Sequence, residues 1–204
     1  MDHARRLNEF IDYIGLNDMT MVVHDFGGPI GLPFVIEHPD CVARIVLFNT
    51  WLWSLNDDRR IMIGHRFANG FLGRLFYQRL NGSPKWILKS AWADQNTLTD
   101  LIHDHYLNPF PTRRDRIAPW VLARELVGSS SWYDIWWRRR ASIADIPALI
   151  LWGLADPAFG ESYLNRWEQT MTNATVTRLH ETGHFVPDEA SDRVVMEISS
   201  FLAT

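Results

Sequence analysis

The sequence predicts an α/β fold: a mostly parallel sheet of about four strands, interrupted by an inserted helical cap. Three observations carry this. Short apolar or β-branched runs at Thr20–His24, Arg44–Phe48, Pro147–Trp152 and Thr175–Leu179 alternate with helix-patterned stretches, as in βαβ units. From about Ser54 to Ala141 that alternation stops and the chain turns helical in character. Each run ends in a polar or aromatic turn, at the edge where open α/β sheets place their sites. The 204 residues then divide into a core, 1–53 with 142–204, and a cap, 54–141.

In chain order, residues 2–14 read as an amphipathic helix. Leu7, Phe10, Ile11 and Ile14 share one face, and Gly15 is placed to end it. Residues 19–24 are the first strand, which Val22 and Val23 mark as buried. After Asp25-Phe26-Gly27-Gly28, Pro29 opens an apolar helix that Pro39 stops. Arg44–Phe48 is the second strand, and Asn49-Thr50-Trp51-Leu52-Trp53 leaves its carboxyl end. Inside the cap, Gly82-Ser83-Pro84 and Asn108-Pro109-Phe110-Pro111 are breakers. Arginines cluster in Tyr106–Arg116 and at Arg138-Arg139-Arg140; either run can hold a phosphate, although such runs are more often a solvated face. Pro147–Trp152 and Thr175–Leu179 complete the strands, with a helix at Tyr163–Thr170 between them. A last helix, from about Ala190 to Leu202, places Val194, Val195, Ile198, Phe201 and Leu202 on a buried stripe.

Composition narrows the function. The net charge of −4 gives no footprint for nucleic acid or an anionic membrane. One cysteine, Cys41, excludes a disulfide framework within the chain. No apolar run reaches membrane-spanning length and MDHARRLNEF is no signal peptide, so the expected location is cytoplasmic. Nothing calls for a metal or cofactor, and the expected partner is a small apolar molecule. Ten tryptophans are many. A pocket lined by indole N–H donors is one reason to have them, and apolar filling is the other.

Asp25 is the residue around which the rest is arranged. A side chain on a strand-to-helix turn is lifted to the carboxyl edge of the sheet, against the first N–H groups of the next helix, which favour negative charge. An acid there stays ionised and exposed, as a nucleophile must; as a plain helix cap, Asp would also suit the position. Asp156, in Gly153-Leu154-Ala155-Asp156-Pro157, and His184, in Gly183-His184-Phe185, follow later strands directly and share that edge. Alone, each motif is an ordinary turn.

Together, in the order nucleophile, acid, histidine, they resemble the triad of the α/β-hydrolases, with Asp25 at the nucleophile elbow. The form His24-Asp25-Phe26-Gly27-Gly28 looks like the haloalkane dehalogenase and epoxide hydrolase branch, and LFNTWLW and YLNPFPTRRDR lean toward the dehalogenases. That resemblance implies an alkyl ester formed on Asp25, then hydrolysed by water that His184 activates and Asp156 orients. It implies an oxyanion donor in the Phe26 N–H. Dehalogenases usually hold the halide with a tryptophan just after the nucleophile. Phe26 has no such N–H, which leaves Trp51, Trp53 and Trp136 as halide-binding candidates, then Trp92 and Trp137. An epoxide would instead call on cap tyrosines, for which Tyr77, Tyr106 and Tyr133 are available.

Members of the superfamily usually carry further strands before the elbow, with a loop that supplies a second oxyanion donor. Here the elbow comes at Asp25. The expectations are a fragment, an inactive relative, or a chain whose bare parallel edge pairs with a second copy as a homo-oligomer. Loss of one oxyanion donor costs about a hundredfold to a thousandfold in rate, so weak activity is expected of the chain alone. A non-catalytic binding module is the reading from another class.

Overall fold

The computed structural model describes residues 2–203. The elements in order are α1 (Asp2–Ile14), β1 (Met19–Asp25), α2 (Gly27–Glu37), β2 (Val42–Thr50), α3 (Arg59–Asn69), α4 (Phe71–Gln78), α5 (Leu88–Ala91), α6 (Asp100–Leu107), α7 (Ile117–Gly128), α8 (Ser130–Arg138), β3 (Ala148–Gly153), α9 (Glu161–Glu168), β4 (Ala174–Leu179), α10 (Val186–Glu189) and α11 (Ser191–Leu202). Short 3-10 turns cover Pro39–Cys41 and Arg140–Ile143, and a single π turn covers Ser83–Ile87, at the proline-containing breaker. The strands form one sheet in the order β1-β2-β3-β4, parallel throughout, so β1 and β4 are its edges. All six helices α3 to α8 lie in the connection between β2 and β3, and we refer to them as the cap.

Alternation along the strands sends side chains to two faces. Val23, Ile45, Leu47, Ile150 and Trp152 face α2 and α9, whose Leu32, Val35, Leu164 and Trp167 complete the larger core. Val46, Phe48, Leu149 and Leu151 face Val186 and Val194, with Ile198 and Phe201 packed alongside.

The second face stops short of β1. Val22 stands beside Val46 in register, yet it is 51% exposed, because α10 and α11 cover β3 and its neighbours only. The expectation of a buried Val22 is therefore corrected; only Val23 is buried. In α1, Ile11 is buried while Phe10 and Ile14 are exposed, since the helix lies against α2 by a narrow stripe. In α11, Val194, Ile198 and Phe201, spaced four and three residues apart, face the sheet; Val195 and Leu202 turn to solvent.

The turn from β1 to α2 is the tightest point. Asp25 has φ +49°, in the left-handed region that costs a non-glycine residue energy. The Thr50 hydroxyl donates to the Asp25 backbone carbonyl at 2.6 Å and braces that conformation from the neighbouring strand. Gly28 lets α2 come this close: a Cβ there would stand 2.0 Å from Thr50 Oγ1 and 2.9 Å from the Trp51 carbonyl oxygen. Gly28→Ala is expected to destabilise the fold by roughly 1–3 kcal/mol, the usual cost of overpacking. Urea unfolding checks this, with Gly27→Ala as the comparison, since a Cβ at Gly27 meets only Val23 at an ordinary 3.5 Å.

Candidate active site

A cavity of about 320 Å³ lies between the carboxyl edge of the sheet and the cap. Asp25, Phe26, Asp156 and His184 line its core side, and Ile61, Tyr77, Leu88, Tyr106 and Leu126 are among the cap residues opposite. The lining is mostly apolar, with the two carboxylates and the imidazole gathered at the floor and the Tyr77 and Tyr106 phenols on the cap side.

The three groups expected to meet at this edge do meet. Asp156 Oδ2 lies 2.8 Å from His184 Nδ1, and His184 Nε2 lies 3.9 Å from Asp25 Oδ2. The first is a hydrogen bond. The second is too long for one and short enough for a single water to touch both atoms. Asp156 has no exposed side-chain surface. Its carboxylate also accepts from Asn49 Nδ2 at 2.8 Å and from the Ala158 backbone N–H at 2.8 Å. Burial works against its charge, but these donors win and hold it below the ordinary carboxylate range.

For His184, burial disfavours the cation. The hydrogen bond to Asp156 and the charges of Asp25, Asp156 and Glu189 outweigh it, so its pKa rises above the ordinary 6.5. Asp25 departs from the sequence expectation. Its side chain is 40% exposed, but to the cavity under the cap, and that desolvation raises its pKa above 3.8 despite His184 and the Phe26 N–H that faces its carboxylate.

Several residues that build this site were not singled out from the sequence. Asn49, fully buried at the end of β2, spans the gap to the acid loop: its Nδ2 also donates to the Gly153 carbonyl at 2.9 Å, and its Oδ1 accepts from the Gly153 N–H at 2.8 Å. A buried asparagine at a strand end was the available signal. His24 donates from Nε2 to the His184 backbone carbonyl at 2.8 Å, with its ring 4.7 Å from that of His184. Burial, with His184 beside it, pushes its pKa down to about 4, so it stays neutral while His184 titrates.

Glu189 is the third. Its carboxylate accepts from the N–H groups of Gly183 (2.9 Å) and Phe185 (2.9 Å), which flank His184, and from that of Ala93 (2.7 Å), which belongs to the cap. The His184 N–H itself donates to the cap carbonyl of Ala91 at 2.8 Å. A Cβ on Gly183 would meet that same carbonyl oxygen at 2.3 Å. The histidine loop is thus clamped between sheet and cap.

The expected halide-binding tryptophans are not where that role needs them. Trp51 is fully buried behind Phe26, ring centroids 4.9 Å apart, and its Nε1 has no partner among the described residues. Trp53 sits in the core against Trp137, Tyr163 and Trp167. Trp136 lies against Trp132 with Arg139 over its ring. Trp92 spends its N–H on Thr97 at 2.9 Å. Among the described residues, no tryptophan lines the cavity. Indoles filled the core because they are the largest apolar side chains available to it. Of the cap tyrosines, Tyr77 and Tyr106 line the cavity, while Tyr133 donates to the Glu125 carbonyl instead.

This fold belongs to a known class. The α/β-hydrolase fold family model matches residues 1–191, and the chain is a member of that family. It is similar to the cis-3-alkyl-4-alkyloxetan-2-one decarboxylase of Shewanella oneidensis, with 27% identity over 96% of this chain and 64% of the relative. It is also similar to haloalkane dehalogenase 2 of Mycobacterium tuberculosis, with 25% identity over 97% of this chain and 68% of that protein. The chain thus spans about two thirds of the length of these relatives. In fold it matches the haloalkane dehalogenase DatA from Agrobacterium tumefaciens C58, with a TM-score of 0.81, 19% identity, and coverage of 98% of this chain and 71% of that one.

The carboxylate of Glu189 raises the pKa of His184 from a distance, so Glu189→Gln is expected to lower it. An NMR titration of the His184 imidazole in the two proteins checks this. Glu189→Ala additionally leaves three N–H groups without their acceptor, at a cost of about 1–3 kcal/mol for each one that stays dry. Faster proteolysis near Gly183 is the expected readout.

Proposed function

We propose that the chain is a hydrolase with Asp25 as nucleophile, working as the haloalkane dehalogenases do, through an ester between Asp25 and the alkyl group of a small apolar substrate. One observation carries this reading: a carboxylate held at φ +49° on the floor of an apolar cavity, 3.9 Å from the Nε2 of a histidine whose Nδ1 is fixed by a buried acid. A binding module has no use for that alignment.

In the first step an Asp25 oxygen attacks saturated carbon, and the bond to the leaving group breaks with its electron pair. No proton has to be removed first, unlike a serine. In the second step water attacks the ester carbonyl carbon while His184 Nε2 takes its proton, and Asp156 steadies the resulting imidazolium. The Phe26 N–H stabilises the oxyanion. Collapse expels the alkoxide, which takes the proton back from the His184 imidazolium and leaves as an alcohol, and Asp25 loses its remaining proton to solvent and returns as carboxylate.

On the leaving group, a second reading is favoured by a specific observation. The cavity has no indole to receive a halide, but it has the phenol of Tyr77, which has no hydrogen-bond partner among the described residues. A strained oxygen ring, such as an epoxide or a four-membered lactone, opens to an oxygen anion that a phenol can meet. Tyr106 already donates to Asp188 at 2.5 Å, so it is the less available donor.

Incubation with 1-bromobutane and with styrene oxide, following bromide and diol, tests both readings. Asp25→Asn is expected to lose activity by roughly a thousandfold or more, as removal of a nucleophile does; equal turnover by both proteins ends the proposal. His184→Phe is expected to accumulate the ester, seen as a mass increase on the intact chain. Tyr77→Phe is expected to slow ring opening by about a hundredfold and leave bromide release unchanged. Ester hydrolysis needs neutral His184, whose pKa is raised, so its rate is expected to climb with pH through an inflection above 6.5.

A further inference from the structure

We propose that the outer face of the cap docks on anionic lipid surfaces. The chain as a whole carries −4, but its charges are segregated. Between Asp58 and Asp94 there are seven arginines and lysines and no Asp or Glu. This stretch holds α3, α4 and the π turn, and it also exposes large apolar side chains. The absence of an anionic-membrane footprint in the net charge is thus an average over two unlike regions.

Helix α4 organises the face. Gly73 lies so close to α3 that a Cβ would stand 1.9 Å from the Phe67 carbonyl oxygen, which fixes one side of α4 inward along with Tyr77. At 100° per residue, Phe71, Leu72 and Leu75 then share the opposite side. Phe71 is 82% exposed and Leu72 67%. To one flank, Phe76 joins Phe67 and Trp86 in a row of rings with centroids 5.5–5.6 Å apart, and Phe67 and Trp86 are both half-exposed. To the other, Arg74, Arg113, Arg114 and Trp120 line an open hollow of about 430 Å³.

No carboxylate among the described residues lies within ion-pair distance of these three arginines. The one beside them, Asp115, accepts from the Thr112 N–H and hydroxyl and feels the charge of Arg114 only from beyond ion-pair distance. An apolar ridge beside an arginine hollow without a close ion pair is the arrangement that a lipid interface rewards: the ridge enters the acyl boundary and the guanidinium groups meet phosphate. A second copy of this chain does not fit the face, because two-fold pairing would set the same arginines against each other. Among the described residues no helix is long and apolar enough to cross a membrane, so contact is peripheral. Ile87 belongs to both the exposed surface and the cavity wall, which places the cavity at the edge of the docking face. The proposal does not depend on the chemistry at Asp25.

Co-sedimentation with vesicles of phosphatidylcholine alone, and of phosphatidylcholine with 30% phosphatidylglycerol, tests it. Binding is expected only with the anionic vesicles and is expected to fall in 0.5 M NaCl. Arg113→Gln with Arg114→Gln is expected to weaken it by about thirtyfold, at about fivefold per cation. Phe71→Ser with Leu72→Ser is expected to release the protein without changing its melting temperature, since both side chains are exposed. Inorganic phosphate is expected to show no saturable binding by calorimetry. No sedimentation with anionic vesicles overturns the proposal. So does equal binding to neutral ones, saturable phosphate binding without vesicle binding, or concentration-dependent dimers that Phe71→Ser dissolves.

Discussion

A buried carboxylate sets the terms for everything at the sheet edge. The Asp156 side chain has no exposed surface, and its charge is tolerable because three donors reach it at once. An unpaired ion in such a place costs several kcal/mol. The donors come from three separate parts of the chain: Asn49 from β2, Ala158 from the loop after β3, and His184 from the loop after β4. Satisfying that charge holds the strand end and the two loops in one arrangement, and that arrangement aims His184 at Asp25. Stability and alignment are one requirement here.

The same economy joins the cap to the sheet. Ala91 and Ala93, at the end of α5, hydrogen-bond to His184 and Glu189, and Tyr106 reaches from α6 to Asp188. The cavity wall opposite Asp25 is therefore braced against the loop that carries the histidine. Close backbone approach makes this possible. A Cβ at Gly153 would stand 2.0 Å from the Gly183 carbonyl oxygen, so the acid and histidine loops touch through two glycines.

Much of this was legible in the chain. Strand runs, breakers and the order Asp25, Asp156, His184 are local signals, and local signals survive without coordinates. Residues that act across the fold were hidden. Asn49 and Glu189 are single polar letters whose meaning depends on which backbone groups arrive beside them. The tryptophans misled for the opposite reason. Their N–H groups suggested halide donors, but bulk dominated, and Trp51 and Trp53 went to the core. Periodicity likewise found the helices and overstated how much of each was covered. Val195 and Phe10 match an apolar pattern, but what covers a residue is decided by the neighbouring element, and Val22 shows the same limit at the sheet's edge.

The Ala91–His184 hydrogen bond ties the cap directly to the backbone of the histidine loop. A cap that swung away as a rigid door would have to break that bond and the Ala93–Glu189 bond beside it, so the cavity wall and the loop that carries the histidine are held as one body.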